Sequence, residues 1–154
     1  MQEVLRYLDK ESLALLRPKL QLARFEAGKI ILAQGRPSPA LFIIRSGDVG
    51  IVRNHDGPPM HVADLYVGQL FGESAFLEAL PASAAVRANS DVDLIVMSPG
   101  KLQPLFAEHP RLFSQFYRSL AYELSRKLRR ATGEVGGSNS FIDRYGEIPA
   151  WEIL

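Results

Sequence analysis

The sequence predicts an α+β protein in which an antiparallel β-sandwich or barrel is accompanied by helices. Between residues 25 and 98, short apolar runs alternate with turn residues, a pattern typical of sandwiches and barrels rather than of alternating strand–helix units. The runs cover residues 30–32, 41–44, 49–52, 62–65, 84–88 and 94–97. The segments before and after this zone carry apolar residues at helical spacing instead, so they are predicted to be helical.

The N-terminal segment is predicted to be helical up to about Leu22, with a break at Pro18. Its apolar side chains recur at helix-like spacing. They are Val4, Leu5, Leu8, Leu13, Leu15, Leu16 and Leu20.

Two helices are predicted after Pro99, a short one over residues 101–107 and a long one over residues 112–132. Pro104 is compatible with the short helix only in its first turn. The long helix carries one apolar stripe, which either packs on the β-core or pairs with a second subunit. The stripe consists of Phe113, Phe116, Leu120, Leu124 and Leu128. A helix of this length at the end of the domain favours pairing, so we expect a homodimer.

Basic residues crowd toward the C-terminal end of the long helix. They are Arg118, Arg126, Lys127, Arg129 and Arg130. A solvated face that complements the helix dipole is the ordinary interpretation, and a phosphate or nucleic-acid contact is the alternative. The formal net charge is +1, so no global field draws the protein to nucleic acid or to acidic membranes. We expect neither as a partner.

The composition of the chain excludes several kinds of site and bears on its cellular location. The chain has no cysteine, which excludes a disulfide framework, a thiolate metal site and a cysteine nucleophile. Charged residues interrupt the first 20 positions, so these cannot form the apolar region of a signal peptide. No uncharged apolar stretch approaches the ~18–20 residues that span a bilayer. We therefore expect a cytoplasmic protein.

Several segments between residues 25 and 132 resemble motifs of one known family. Residues 25–31 (FEAGKII) are similar to its opening strand, and the segment from residues 34–35 (QG) through residues 41–49 (LFIIRSGDV) is similar to its paired strands and their turn. Residues 68–77 (GQLFGESAFL), followed by residues 80–88 (LPASAAVRA), resemble its phosphate-binding cassette. The family is that of cyclic nucleotide-binding domains, which includes the catabolite activator sensor domain and regulatory domains of kinases and channels.

The resemblance implies an antiparallel, jelly-roll-like β-roll with an N-terminal helix, a short cassette helix and a long C-terminal helix. It also implies a regulatory sensor without enzymatic activity or a metal, which binds cyclic AMP or cyclic GMP and signals through its C-terminal helix or tail. Residues 1–132 would form this domain. Residues 133–154 open with a glycine-rich linker composition and end in a short apolar tail, which we expect to dock on its own domain, on a second subunit or on a partner protein.

By the same resemblance, the cassette supplies the ligand-binding positions. They are Phe71, Gly72, Glu73, Ser74, Ala82, Ser83 and Ala84. Glycine at 72 allows a close backbone approach and unusual dihedral angles, and a helix that begins after it would point backbone N–H groups outward.

Individual roles also follow from the resemblance. Glu73 is implied to accept hydrogen bonds from the ribose 2′-hydroxyl, and the alternative for it is a first-turn carboxylate that the helix dipole favours. Ser74, Ser83 and Ala84 are implied to meet the phosphate, although Ser83 also fits an ordinary turn serine. The aromatic ring of Phe71, like that of Phe76, is expected to lie in the core rather than against the base.

Ala82 is the main departure from the family pattern. The family's cassette normally has an arginine there, whose planar fork grips the cyclic phosphate, and residues 70–86 contain no lysine or arginine. A charge-assisted hydrogen bond contributes about 1.5–3 kcal/mol. Its loss weakens binding by about tenfold to a few hundredfold, so we expect cyclic nucleotides to bind weakly or with altered specificity.

Three alternative functions remain open. The first is a degenerate relative that serves as a dimerisation or protein-interaction module, or that binds a cyclic dinucleotide. The second is a metal-dependent cupin enzyme, which the scattered positions of His55, His61 and His109 do not favour. The third is the sensor half of a transcription regulator, since residues 141–148 faintly resemble the segment that leads into a DNA-binding domain in catabolite activator relatives.

Overall fold

The computed structural model describes residues 4–133. The chain divides into two compact units with the boundary between Leu120 and Ala121. The strands are β1 (Gln21–Phe25), β2 (Ile30–Leu32), β3 (Leu41–Ser46), β4 (Val49–Arg53), β5 (Met60–Leu65), β6 (Leu70–Phe71), β7 (Ala85–Ala88) and β8 (Val92–Met97). The helices are α1 (Lys10–Leu16), α2 (Glu73–Glu78), α3 (Pro99–Glu108) and α4 (Pro110–Ala131).

The strands form two antiparallel four-stranded sheets, in the orders β1-β8-β3-β6 and β2-β7-β4-β5. Side chains from both sheets meet in one apolar core cluster, where Ile44 and Leu94 belong to the first sheet and Val49 and Val86 to the second. These sheets together with the helices make the predicted α+β, jelly-roll-like architecture, which is confirmed.

All six predicted strands are present, but the helical prediction for the N-terminal segment extended too far. β1 begins at Gln21 and pairs with β8 along its whole length, from Gln21 opposite Val96 to Phe25 opposite Val92. The helix-like spacing that reaches Leu20 therefore ends where strand pairing with β8 takes over, because tertiary pairing overrides local periodicity. β6 was also missed, since two residues are too short to show an alternation.

The N-terminal segment is attached to α4 through Asp9, which caps α1. Its carboxylate accepts a hydrogen bond from the Ser12 N–H at 2.8 Å and one from the Gln115 amide at 3.0 Å. The Arg111 guanidinium lies 2.7 Å from the same carboxylate. The hydrogen bonds, that of Gln115 first, lower the pKa of Asp9 from 3.8 to about 2.

A second attachment lies nearby. The Tyr7 N–H donates to the Ser119 hydroxyl at 3.0 Å, and Ser119 is fully buried. The Arg118 guanidinium lies 4.0 Å from the centre of the Tyr7 ring, a cation–π distance. Arg118, a member of the basic cluster on α4, therefore has a structural partner.

The expectation for Pro104 was wrong, because this residue lies in the interior of α3, which begins at Pro99. A proline there leaves the carbonyl of Gly100 without its helical donor. Gly100 and Pro104 are both exposed, so that carbonyl lies on a solvated face where it is accessible to water.

The predicted stripe on α4 does not form one continuous seam. Phe116 and Leu120 are 0% and 2% exposed, so they belong to the core of the first unit and cannot face a second subunit. In the second unit, Leu124 is half-buried and Leu128 is 66% exposed. The predicted boundary at residue 132 stays a prediction, and the apolar tail lies outside the described residues.

No helix among residues 4–133 is long and apolar enough to cross a membrane.

Candidate functional site

The cassette begins at Gly72, between β6 and α2. Gly72 adopts φ +86°, in the left-handed region, and serves as the N-cap of α2. A Cβ atom built on it would lie 2.7 Å from the carbonyl oxygen of Ala40 and 3.2 Å from the ring of Phe42. The conformation and the close approach both require glycine, as expected from the sequence.

Phe71 contributes to the core. Its side chain is 2% exposed and its ring stacks on that of Phe42, with centroids 4.9 Å apart. The ring is therefore not available to a ligand, and only the backbone of Phe71 can belong to the site. The expectation that this ring lies in the core is confirmed.

Helix α2 carries the two polar candidates of the first half of the cassette. Glu73 and Ser74 occupy its first turn and are both half-buried. No side chain caps the start of this helix, so the acidic first residue is the local complement to its dipole. The helix ends at Glu78, and its C-cap residue Ala79 has a left-handed φ of 55°.

The second half of the cassette leads into β7. Ala82 is half-buried, Ser83 is exposed and Ala84 is buried. The hydroxyl of Ser83 can therefore reach a ligand, whereas Ala84 can offer only its backbone.

The loop between β2 and β3, residues 33–40, contacts both halves of the cassette. The Ala82 N–H donates to the Arg36 carbonyl at 3.1 Å, and the Gly35 N–H donates to the Ala82 carbonyl at 2.8 Å. At its other end the loop brings the Ala40 carbonyl against Gly72. The sequence predicted no role for this loop in the site, because glycine and proline at residues 35, 37 and 39 signal only a turn.

The cassette helix also contacts α4. The ring of Phe76 lies 5.9 Å from that of Phe116 and 6.4 Å from that of Tyr117, measured between centroids. Phe106 of α3 completes this aromatic cluster, with its ring 5.0 Å from Phe116. Burial raises the pKa of Tyr117, so its phenol stays protonated at neutral pH.

Metal chemistry finds no support in the described part of the chain. No group of three or more histidine, aspartate or glutamate side chains within residues 4–133 could hold a metal ion. The Nε2 of His61 lies 2.9 Å from the Asp64 carboxylate, where the pair bridges nearby residues of β5. This arrangement gives the cupin alternative no ligand set.

The family described as "Cyclic nucleotide-binding domain" matches residues 22–109, more than half of the chain. The chain belongs to the cyclic nucleotide-binding domain family. Domains of this family are typically regulatory rather than catalytic. The matched range contains both halves of the cassette and the loop that holds them.

Two curated relatives of this cyclic nucleotide-binding domain are longer proteins. The Cyclic AMP receptor protein of Thermus thermophilus is 31% identical over 129 residues, which are 83% of this chain and 58% of the relative. Cyclic GMP-binding protein C of Dictyostelium discoideum is 26% identical over 139 residues, 86% of this chain but 5% of that protein.

Solved structures agree on the fold. The Thermus thermophilus Catabolite Activator Protein superposes with a TM-score of 0.71 at 30% identity, covering 86% of this chain and 61% of that one. A cyclic nucleotide-binding domain from Methylobacillus flagellatus gives a TM-score of 0.79 over 90% of this chain and 83% of its own. Its 21% identity supports the shared fold alone.

Proposed function

We propose that this cyclic nucleotide-binding domain is a regulatory sensor that binds a cyclic nucleotide at the cassette and signals through α4. The contact between Phe76 and Phe116 carries the proposal, because it joins the cassette helix to the long helix. A ligand that shifts α2 must repack this contact, since close-packed side chains do not deform freely.

Cyclic AMP and cyclic GMP are the ligands that the proposal names first. Two relatives are named for these molecules, and the family match includes the whole cassette. Glu73 would accept the ribose hydroxyl hydrogen bonds, while Ser74 and Ser83 would donate to the phosphate. Ala82 offers no charge, so binding would be weaker than in a cassette that contains arginine.

A homodimer remains part of the proposal, but its interface on α4 includes fewer apolar residues than the sequence suggested. Phe116 and Leu120 are committed to the core of the first unit. The apolar positions left on the C-terminal half of α4 are Leu124 and Leu128, four residues apart and therefore on one face. A second copy of this helix would cover them.

The main alternative is a module of the same fold that binds no cyclic mononucleotide. The lack of any lysine or arginine in residues 70–86 favours it. Such a domain would act through dimerisation or protein contacts, or would accept a cyclic dinucleotide.

Calorimetric titration of the whole chain separates these functions. We expect cyclic AMP or cyclic GMP to bind at micromolar or weaker affinity, and linear 5′-AMP to bind less tightly. Glu73→Gln should weaken binding by about tenfold, the value of one charge-assisted hydrogen bond. Glu78→Gln removes the same charge from the other end of α2 and should leave the affinity unchanged. Binding of a cyclic dinucleotide alone, or of no nucleotide at all, would reject the proposal in favour of the alternative.

A further inference from the structure

The proposed ligand carries a negative phosphodiester group, and its binding site needs a source of positive charge. Residues 70–86 contain no lysine or arginine, and α2 is too short to meet this need through its dipole alone. A cation for the phosphate must come from outside the cassette.

Arg36 is in the right place to supply it. Its carbonyl accepts the N–H of Ala82 at 3.1 Å, and the adjacent Gly35 N–H donates to the Ala82 carbonyl at 2.8 Å. The backbone of residue 36 is thus held beside the cassette position that lacks a charge. An arginine side chain is long, and its planar fork suits a phosphate.

The guanidinium of Arg36 is also available. The residue is exposed, and no ion pair or hydrogen bond occupies its side chain within residues 4–133. Two other arginines of the first unit are engaged: Arg24 lies near Asp91 and Asp93, and Arg111 pairs with Asp9.

The loop that carries Arg36 is constrained at both ends. Its start is bonded to Ala82, and its end, Ala40, lies against Gly72. Two prolines, Pro37 and Pro39, fix the backbone φ angle between these contacts. The loop is therefore pre-organised against the cassette while the arginine side chain keeps its freedom.

We propose that Arg36 supplies the cation that binds the phosphate of the cyclic nucleotide, so that the positive charge enters from the β2–β3 loop rather than from the cassette itself. The inference rests on the proposed function. Arg36 supplies the positive charge that Ala82 cannot. Because its side chain is exposed, it loses more conformational entropy on binding the phosphate than a buried arginine would.

The test compares two arginine variants by calorimetric titration with cyclic AMP and cyclic GMP. Arg36→Gln should weaken binding by about tenfold or more, the loss of one charge-assisted contact. Arg45→Gln is the matched control, since Arg45 is exposed and lies toward the end of β3 that is remote from Ala40. It makes the same change in net charge and should alter the affinity less than twofold. Both variants should have the melting temperature of the wild type, because both side chains are exposed.

A double-variant cycle adds a second readout. If Arg36 and an arginine at position 82 serve the same phosphate, Ala82→Arg should tighten binding more in the Arg36→Gln background than in the wild type. Equal gains in both backgrounds, or equal effects of the Arg36 and Arg45 variants, would overturn the inference and leave the proposed function intact. A wild type that binds neither nucleotide would overturn both.

Discussion

Gly72 and the Ala40 carbonyl lie so close that no other residue fits at position 72 without displacement. A Cβ atom there would stand 2.7 Å from the Ala40 oxygen, and the φ angle of +86° already disfavours any side chain. The backbone at the start of the cassette thus depends on Gly72 and on the carbonyl of Ala40, the residue that precedes β3.

Gly72→Ala should therefore destabilise the fold and disturb ligand binding. Gly68→Ala is the matched control, because Gly68 has the same φ of +86° with nothing within 4 Å of its added Cβ. Both variants carry the backbone cost, of order 1–2 kcal/mol. We expect urea unfolding to show a larger loss for Gly72→Ala. Equal losses would mean that the Ala40 contact contributes nothing.

Ala82→Arg should tighten binding of cyclic AMP or cyclic GMP by at least about tenfold, through one added charge-assisted contact. Ala63→Arg on the exposed strand β5 adds the same charge away from the cassette. Calorimetry should show no gain for this control. Sub-micromolar binding by the wild type would contradict this prediction, because the cation from the β2–β3 loop would then already replace the cassette arginine in full.

The Asp9 carboxylate should give a defined acid dependence of stability. Its pKa is lowered from 3.8 to about 2 in the folded protein, so its stabilising contribution is present above about pH 4 and disappears as the pH falls toward 2. Asp9→Asn should lower the melting temperature at pH 7, and the difference from wild type should shrink between pH 4 and 2. Glu11→Gln, an exposed first-turn carboxylate of the same helix, serves as the control. A difference that persists at pH 2 would show that the carboxylate's charge is not the cause.

The exposed part of the apolar stripe should determine the association state. Leu124→Glu with Leu128→Glu should convert a dimer to a folded monomer in sedimentation experiments, because it places like charges in the seam. Ser125→Glu adds a charge beside that face and should leave the dimer intact. A wild type that sediments as a monomer at high concentration would refute the dimer.

The buried part of the stripe should respond differently. Leu120 is 2% exposed, so Leu120→Ala should lower the free energy of unfolding by about 2–5 kcal/mol, as core truncations do. The folded fraction of the Leu120→Ala variant should keep the association state of the wild type. A full-stability variant would place Leu120 outside the core.

The sequence predicted the strands well because each apolar run is bounded by turn residues, as at β2, where both bounds agree. It failed where distant parts of the chain decide the outcome. β1 exists because β8 pairs with it, and Phe116 is buried because Phe76 and Phe106 cover it. Periodicity showed that α4 has an apolar face but not which surface that face meets.

The candidate site divides in the same way. Gly72 and the cassette residues were found from their order in the chain, because a short motif encodes a local backbone path. The contact of Ala82 with Arg36 was not found, because it consists of backbone hydrogen bonds between segments 46 positions apart. The pattern of side chains in a sequence does not predict hydrogen bonds between distant backbone segments.

The contact between Phe76 and Phe116 also has a thermodynamic consequence. If occupancy of the cassette changes the equilibrium of α4, then whatever holds α4 in one arrangement must change nucleotide affinity by the same factor, since linkage between two sites is reciprocal. A second copy or a partner bound to the long helix would thus set the nucleotide concentration at which the domain responds. Titration with nucleotide, repeated at several protein concentrations, becomes an indirect measure of what α4 touches.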